Sequence, residues 1–316
     1  MGNYVDGQAD LERYAQKIIS KQYGQEAISI TPLGGGFYGR VFLAELSRDP
    51  YKAVIKIYLF KGLNIREAAQ LDKLACHSLI RMPQVYFVHQ ADTRIPVDAL
   101  GMEFIDGINA GGLHDLVPSD REKIADEIVD NLISYHSTVH PEGFGEISGG
   151  PYEKDWRVLY REKAESNYHK AIEMHAQGKI SDFVMDTVIK AYENFDLIFS
   201  QPITTARLIH GDYNTWNVLT NPGATECAGV IDPFNCCWAD SELDLYQLST
   251  ANGTYFGLLD KYRAKVELSS NFEIKNCFYE LFTEIRHFYD TGLDPASSNI
   301  PEEARQLEIR MKNAGI

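Results

Sequence analysis

The sequence predicts an α+β protein of two lobes sharing a cleft, with an antiparallel five-stranded sheet in residues 1–106 and a mostly helical part in residues 107–316. Three observations predict it. Between residues 28 and 105, short apolar runs are punctuated by Gly, Asp and Pro, and only one helical pattern intervenes. From Ser119 onward, apolar residues recur at three- and four-residue spacing over long stretches. Charge divides at the same boundary: residues 1–106 hold 12 Lys+Arg and 12 Asp+Glu, so the remainder carries the whole net charge of −15. At 316 residues the chain is also long for one small domain.

Composition removes several classes of function. Hydrophobic residues at 44% and charged residues at 24% are those of an ordinary soluble globular protein. No apolar run approaches the ~20 residues a membrane helix needs. The N-terminus lacks the basic start and apolar core of a secretion signal, and Met1-Gly2 is followed by Asp6 where a myristoylation motif needs Ser or Thr. The five cysteines, Cys76, Cys227, Cys236, Cys237 and Cys277, show no C-x-x-C spacing and read as reduced thiols of a cytoplasmic protein. The acidic balance argues against nucleic acid and anionic membrane as partners.

In chain order, Asp10 can cap a helix whose stripe is Leu11, Tyr14, Ala15, Ile18 and Ile19, with Gly24 as its stop. Strands are expected at Ile28–Leu33 and Val41–Leu46, joined by the glycine-rich turn Gly34-Gly35-Gly36-Phe37-Tyr38-Gly39. A third strand, Lys52–Tyr58, alternates so that Val54, Lys56 and Tyr58 share one face. A helix over 64–76 carries Glu67, and two further strands fall at Met82–Val88 and Ala99–Ile105. Ser119 opens a long amphipathic helix to about Val139, and helical segments follow at 152–177 and 180–200. The C-terminal helices are expected at Asp240–Asn252, Tyr255–Arg263, Asn271–Asp290 and Pro301–Lys312, with dense aromatics that read as core. His136 and His140 stand at metal-ligand spacing, but no carboxylate follows in register, so a polar helix end is the reading.

Residues 207–245 carry the chemistry. Two apolar runs, Arg207–Ile209 and Ala228–Ile231, each end on a cluster containing an Asp: His210-Gly211-Asp212, then Asp232-Pro233. Asn217 lies five residues after Asp212, and the turn Asn221-Pro222-Gly223 separates it from the second run. Such an arrangement can gather three oxygen-bearing side chains, the set that phosphoryl transfer uses to orient a hydroxyl and to hold Mg²⁺ on phosphates.

The stretch resembles the catalytic core of the aminoglycoside phosphotransferase family, which includes fructosamine and choline kinases and shares the protein-kinase fold. The resemblance rests on H-G-D-x-x-x-x-N at His210–Asn217, I-D-P at Ile231–Pro233, and D-x-x-x-D-L at Asp240–Leu245, the last similar to the fructosamine-kinase branch. It implies an ATP- and Mg²⁺-dependent small-molecule kinase. Asp212 would be the catalytic base, and Asn217 and Asp232 the metal ligands. Gly34, Gly36 and Gly39 would belong to a phosphate-covering loop that resembles G-x-G-x-x-G-x-V, and Lys56 with Glu67 behind it would grip the phosphates. Glu103 and Ile105 would present the hinge carbonyl and N–H that read adenine. His210 is expected to be structural. The gap of about a hundred residues before His210 matches the helical insertion of the small-molecule branch. The short stretch after Asp232, with no A-P-E, argues against a protein substrate.

The acceptor is less determined. The acidic second half suits a cationic or amine-bearing molecule, fructosamine or another amino sugar first, and is equally the balance of many acidic proteins. An aminoglycoside, a choline-like amino alcohol and a neutral sugar are the other small-molecule readings. A nucleotide-binding regulatory module without transfer activity is the reading from a different class.

Overall fold

The structure, a computed structural model, describes residues 8–295 and 298–316. The expectations for Met1-Gly2 and Asp6 lie outside the described residues. In chain order it begins with helix α1 (Gln8–Tyr23), strands β1 (Ser29–Gly35), β2 (Gly39–Glu45) and β3 (Lys52–Tyr58), and helix α2 (Leu63–Ala75). Strands β4 (Val85–His89), β5 (Asp98–Glu103) and β6 (Ile108–Asn109) precede helix α3 (Pro118–Ser137). Next come β7 (Val139–His140), β8 (Gly145–Glu146), α4 (Trp156–Ala176), α5 (Asp182–Glu193), α6 (Phe195–Ile198) and β9 (Ala206–Ile209). Strands β10 (Val218–Thr220), β11 (Cys227–Val230) and β12 (Cys237–Ala239) lead to α7 (Gly253–Phe256), α8 (Leu258–Lys265), α9 (Phe272–Thr291) and α10 (Ile300–Asn313).

The chain forms two compact units, and their boundary is not the single cut at 106/107 that the sequence suggested. Residues 1–131 group with Trp216–Phe234, and Leu132–Thr215 groups with Asn235–Ile316. The reason is a strand exchange that no local pattern announces: β10 pairs with β6 as well as with β11, drawing the 218–230 hairpin into the first unit.

The first unit holds the expected five-stranded antiparallel sheet, in the order β1-β2-β3-β5-β4. Lys56 on β3 stands opposite Val41 of β2 and Leu100 of β5, in the centre of the sheet. Period-two alternation sends Ala53, Ile55 and Ile57 to the other face, where they pack with Phe42 and Ala44 against Ile18 and Ile19 of α1. That buried face fixes the register, because a slip of one residue would exchange Lys56 for an isoleucine.

The second unit is mainly helical around a four-stranded sheet of order β7-β9-β12-β8. Its core is aromatic: Phe278 stacks on Phe282 with centroids 3.9 Å apart, and Phe195 on Phe199 at 4.4 Å. A buried ion network lies among these rings. Lys275, almost fully enclosed, reaches Asp240 and Glu242 at 2.8 Å each, and Tyr279 donates to Asp240 at 2.7 Å. A buried ammonium is tolerable only when paired in this way.

The helix expected over Asp240–Asn252 is instead a 3₁₀ segment, Ser241–Leu248. Asp240 caps it by accepting the Glu242 N–H at 3.2 Å, while its carboxylates are drawn to partners elsewhere in the unit. Among the described residues, no helix is long and apolar enough to cross a membrane. All five cysteines are unbridged, as expected.

Candidate active site

In the first unit, the glycine-rich hairpin runs from the end of β1 to the start of β2. Gly36 N–H donates to Gly39 C=O at 3.1 Å and closes the turn. A Cβ on Gly39 would come within 2.7 Å of the Ile57 carbonyl oxygen, so only glycine lets β2 lie this close to β3 here. A Cβ on Gly34 or Gly36 would meet nothing within 4 Å, leaving their backbone open to approach from outside. Tyr38 at the tip lies with its ring centroid 4.3 Å from that of Phe234, two residues after Asp232.

Beneath the sheet face, three charged side chains converge. Lys56 Nζ lies 2.7 Å from Glu67 Oε2, 3.0 Å from Glu67 Oε1 and 2.5 Å from Asp232 Oδ1. Burial opposes the ammonium charge, but the Glu67 and Asp232 carboxylates outweigh it and hold the Lys56 pKa above its ordinary value. Lys56 and Glu67 are nearly enclosed, at 12% and 8% exposed, whereas Asp232 is 45% exposed. The Asp232 side is therefore the one a ligand can reach. Asp232 has φ 57, a left-handed conformation costing ~1 kcal/mol for a residue other than Gly and most tolerated by Asp and Asn.

The β10–β11 hairpin explains how Asn217 and Asp232 come to one end of one element. Val218 pairs with Val230, and the Ile231 N–H donates to the Asn217 carbonyl at 2.9 Å, so both residues flank the open end of the hairpin. Among the described residues, no group of three or more His, Cys, Asp or Glu side chains is placed to hold a metal. One amide and one carboxylate suit Mg²⁺, a hard cation that keeps waters and takes its remaining oxygens from substrate phosphates. The donor set fits that ion and does not fit zinc.

Glu103 ends β5, and its side chain is engaged by Arg81. No hydrogen bond to the Ile105 N–H occurs among the described residues, and its side chain lies over Gly229. Among the described residues, neither side chain is hydrogen-bonded or ion-paired to the Lys56 cluster.

In the second unit, the loop after β9 is built around Asp244. Its Oδ2 accepts the His210 N–H and its Oδ1 the Gly211 N–H, both at 2.8 Å. Gly211 has φ 79, and a Cβ there would come within 2.4 Å of the Asn235 backbone, so the turn requires glycine twice over. Asp212 projects from this turn, with its Oδ1 accepting from Asn214 Nδ2 at 2.9 Å and Gln247 Nε2 at 3.3 Å. His210 is fully buried, packs on Tyr213 and accepts the Asp212 N–H through Nδ1 at 3.3 Å.

His136 stands in the last turn of α3, in keeping with the helix-end reading, whereas His140 lies beyond that helix. His136 is buried, sharing a 2.8 Å hydrogen bond with the Tyr262 hydroxyl and standing 3.4 Å from Asp244. His140 lies on β7 and stacks on Trp238 at 4.7 Å.

Of the residues singled out from the sequence, Lys56, Glu67 and Asp232 are brought into direct contact, although 176 residues separate the first from the last. Gly34, Gly36, Gly39, Asn217, Glu103 and Ile105 belong to the same unit, and Asp212 to the other. Two participants were given no role from the sequence, and a third, Tyr58, was placed on the face of Lys56 without one. Tyr58 donates to Glu67 Oε2 at 2.8 Å, Gln247 holds Asp212, and Asp244 anchors the loop. The sequence showed Asp244 only as part of an acidic motif. Gln247 carried no signal at all.

Comparison with known proteins bears on the family and the fold. A family model described as phosphotransferase enzyme family (APH) matches residues 29–265. The uncharacterised protein YcbJ of Escherichia coli strain K12 is 22% identical over 244 residues, covering 77% of this chain and 81% of that protein. Among solved structures, a candidate fructosamine-3-kinase from Haemophilus somnus 129PT superposes with a TM-score of 0.69 at 16% identity, covering 94% of this chain and 96% of that one. A thermostable mutant of the aminoglycoside phosphotransferase APH(4)-Ia, in a ternary complex with ADP and hygromycin B, gives 0.69 at 15% identity over 95% and 98%. At these identities the likeness to solved structures is one of fold.

Proposed function

This chain belongs to the phosphotransferase enzyme family, and from that premise we propose that it transfers the γ-phosphate of ATP to a hydroxyl of an amine-bearing small molecule. The observation that carries the reading is the Lys56 ammonium shared between Glu67 and Asp232. It supplies a buried, permanently charged donor beside a solvent-facing carboxylate, under an open glycine-rich hairpin. Lys56 binds the phosphates, with Glu67 holding it in place. Backbone N–H groups of the Gly34–Gly39 turn cover them, and the Glu103 carbonyl and Ile105 N–H receive the base. Asn217 and Asp232 would hold Mg²⁺, which when bound neutralises charge on the phosphate oxygens.

Asp212 orients the acceptor hydroxyl and takes its proton as the hydroxyl oxygen bonds to the γ-phosphorus and the bond from that phosphorus to the β,γ-bridging oxygen breaks, releasing ADP. Its carboxylate rotation is set in advance by Asn214 and Gln247, so little reorganisation accompanies the reaction. His210 acts as packing for that loop and moves no proton.

For the acceptor, the argument from the acidic motif has to be revised. Asp240, Glu242 and Asp244 are consumed by Lys275 and by loop amides, so they do not face a substrate. Support for an amine-bearing sugar comes instead from the kinds of protein that share the fold. An ATP-consumption screen across fructosamines, amino sugars, aminoglycosides, amino alcohols and neutral sugars tests it. Turnover confined to neutral sugars or choline-like alcohols replaces the acceptor class and leaves the phosphotransferase reading. Labelling of casein with no small-molecule turnover overturns the acceptor reading altogether. Mg²⁺-ATP binding without transfer to any acceptor points to a regulatory module.

A further inference from the structure

We propose that Tyr58 is a positioning residue for the nucleotide: its hydroxyl fixes the Glu67 carboxylate that in turn holds Lys56. The assignment rests on the phosphotransferase reading above and names a residue that the family motifs do not contain.

Two positions apart on β3, Lys56 and Tyr58 emerge on the same face, and the ammonium stands 5.6 Å from the tyrosine ring centroid. Helix α2 brings Glu67 across both. Its Oε2 receives Lys56 at 2.7 Å and the Tyr58 hydroxyl at 2.8 Å, while Oε1 receives Lys56 at 3.0 Å. The cation therefore holds both carboxylate oxygens, and Tyr58 adds a neutral donor to the nearer one, Oε2.

That second hold has a definite task. Lys56 is flexible, with three donors, and it already gives one to the more exposed Asp232. To serve phosphates it must leave Asp232 yet keep its place, and among the described residues its other ion-pair partner is Glu67. Burial and the nearby Asp232 charge push the Glu67 carboxyl up, towards the neutral form that would release Lys56. Lys56 and the Tyr58 hydrogen bond act in the opposite direction. Tyr58 is a dependable donor, because burial, reinforced by the Glu67 charge, pushes its phenol well above the ordinary range. At 1% exposed, it leaves no room for water to take over the bond.

Tyr58→Phe separates the hydroxyl from everything else the ring does, since packing and the ammonium–ring contact are kept. Calorimetry with Mg²⁺-ATP on the full chain is expected to show about tenfold weaker binding, as for loss of a hydrogen bond to a buried charged group. In a Glu67→Ala background the same substitution should change binding by less than about twofold, because there is no carboxylate left to position. Unchanged binding by Tyr58→Phe overturns the proposal, and so do losses that simply add in the double variant. A thermal melt accompanies each variant. Failure of Tyr58→Phe to fold would assign the hydroxyl to the core and also overturn it. If the unsubstituted protein binds no Mg²⁺-ATP, the phosphotransferase reading falls first and takes this assignment with it.

Discussion

Asp244 Oδ2 accepts the backbone N–H of His210 at 2.8 Å, joining residues 34 apart in sequence. With Oδ1 on the Gly211 N–H, one buried carboxylate satisfies two donors of a turn that has no sheet or helix partner for them. Removing it leaves both unpaired. Asp244→Ala is expected to lower stability by about 2–4 kcal/mol, from the cost of orphaning one buried and one half-buried N–H group. Urea unfolding monitored by circular dichroism checks this. Asp244→Asn, which keeps one acceptor oxygen, should fall between the two proteins.

Asp212→Asn should reduce phosphoryl transfer by ~10²–10⁴-fold, the usual contribution of a positioned base. ATP affinity should stay within a few-fold, because Lys56 and Glu67 are untouched. Single-turnover transfer and equilibrium binding, measured on one preparation, separate the two effects. Near-normal transfer would remove Asp212 from the role of base.

Asp232→Ala should abolish the Mg²⁺ dependence of nucleotide binding. This carboxylate is the exposed member of the Lys56 cluster and, with the Asn217 amide, the donor set that suits the ion. Calorimetric titrations of ATP with and without Mg²⁺ decide it, and unchanged Mg²⁺-ATP binding would place the metal elsewhere.

A pH effect on stability is expected from the C-terminal helices. Burial, then the neighbouring Glu284 and Glu280 charges, push the Glu303 carboxyl up to about 9. Unfolded, it ionises near 4.5. Between these values the folded chain keeps a proton that the unfolded chain has released. The stabilisation is thus complete below the unfolded value and is lost as pH rises toward about 9. Glu303→Gln, neutral at every pH, should therefore melt higher than the native chain at pH 8 and lose that advantage as the pH falls toward 5. Thermal melts across this range test the sign.

The glycine-rich turn, the Lys56 strand and the Glu67 helix were legible because each depends on residues adjacent in the chain. Period-two alternation sets which face Lys56 occupies, and helix periodicity places Glu67 early in α2. The His210–Asn217 and Asp232 motifs were legible for the same local reason. The role of the acidic 240–245 segment was not. It read as a motif similar to the fructosamine-kinase branch, with no structural task assigned, yet Asp240 and Glu242 enclose Lys275 and Asp244 ties down a turn. A carboxylate reads the same in sequence whether it faces solvent or a buried ammonium. The partners that decide between them lie tens of residues away.

The sequence by itself determined the family and most of the strands and helices, and it singled out the candidate site residues, since these follow from local periodicity and short-range spacing. Tertiary structure decided which of them share a charge. The contact of Lys56 with Asp232 spans 176 residues, and the pairing of β10 with β6 carries Asn217 and Asp232 into the first unit. Tyr58, Gln247 and Asp244 acquire their roles only through such contacts. A hydrogen bond acts over about 3 Å, and no spacing rule along a chain specifies which distant donor will arrive at that distance.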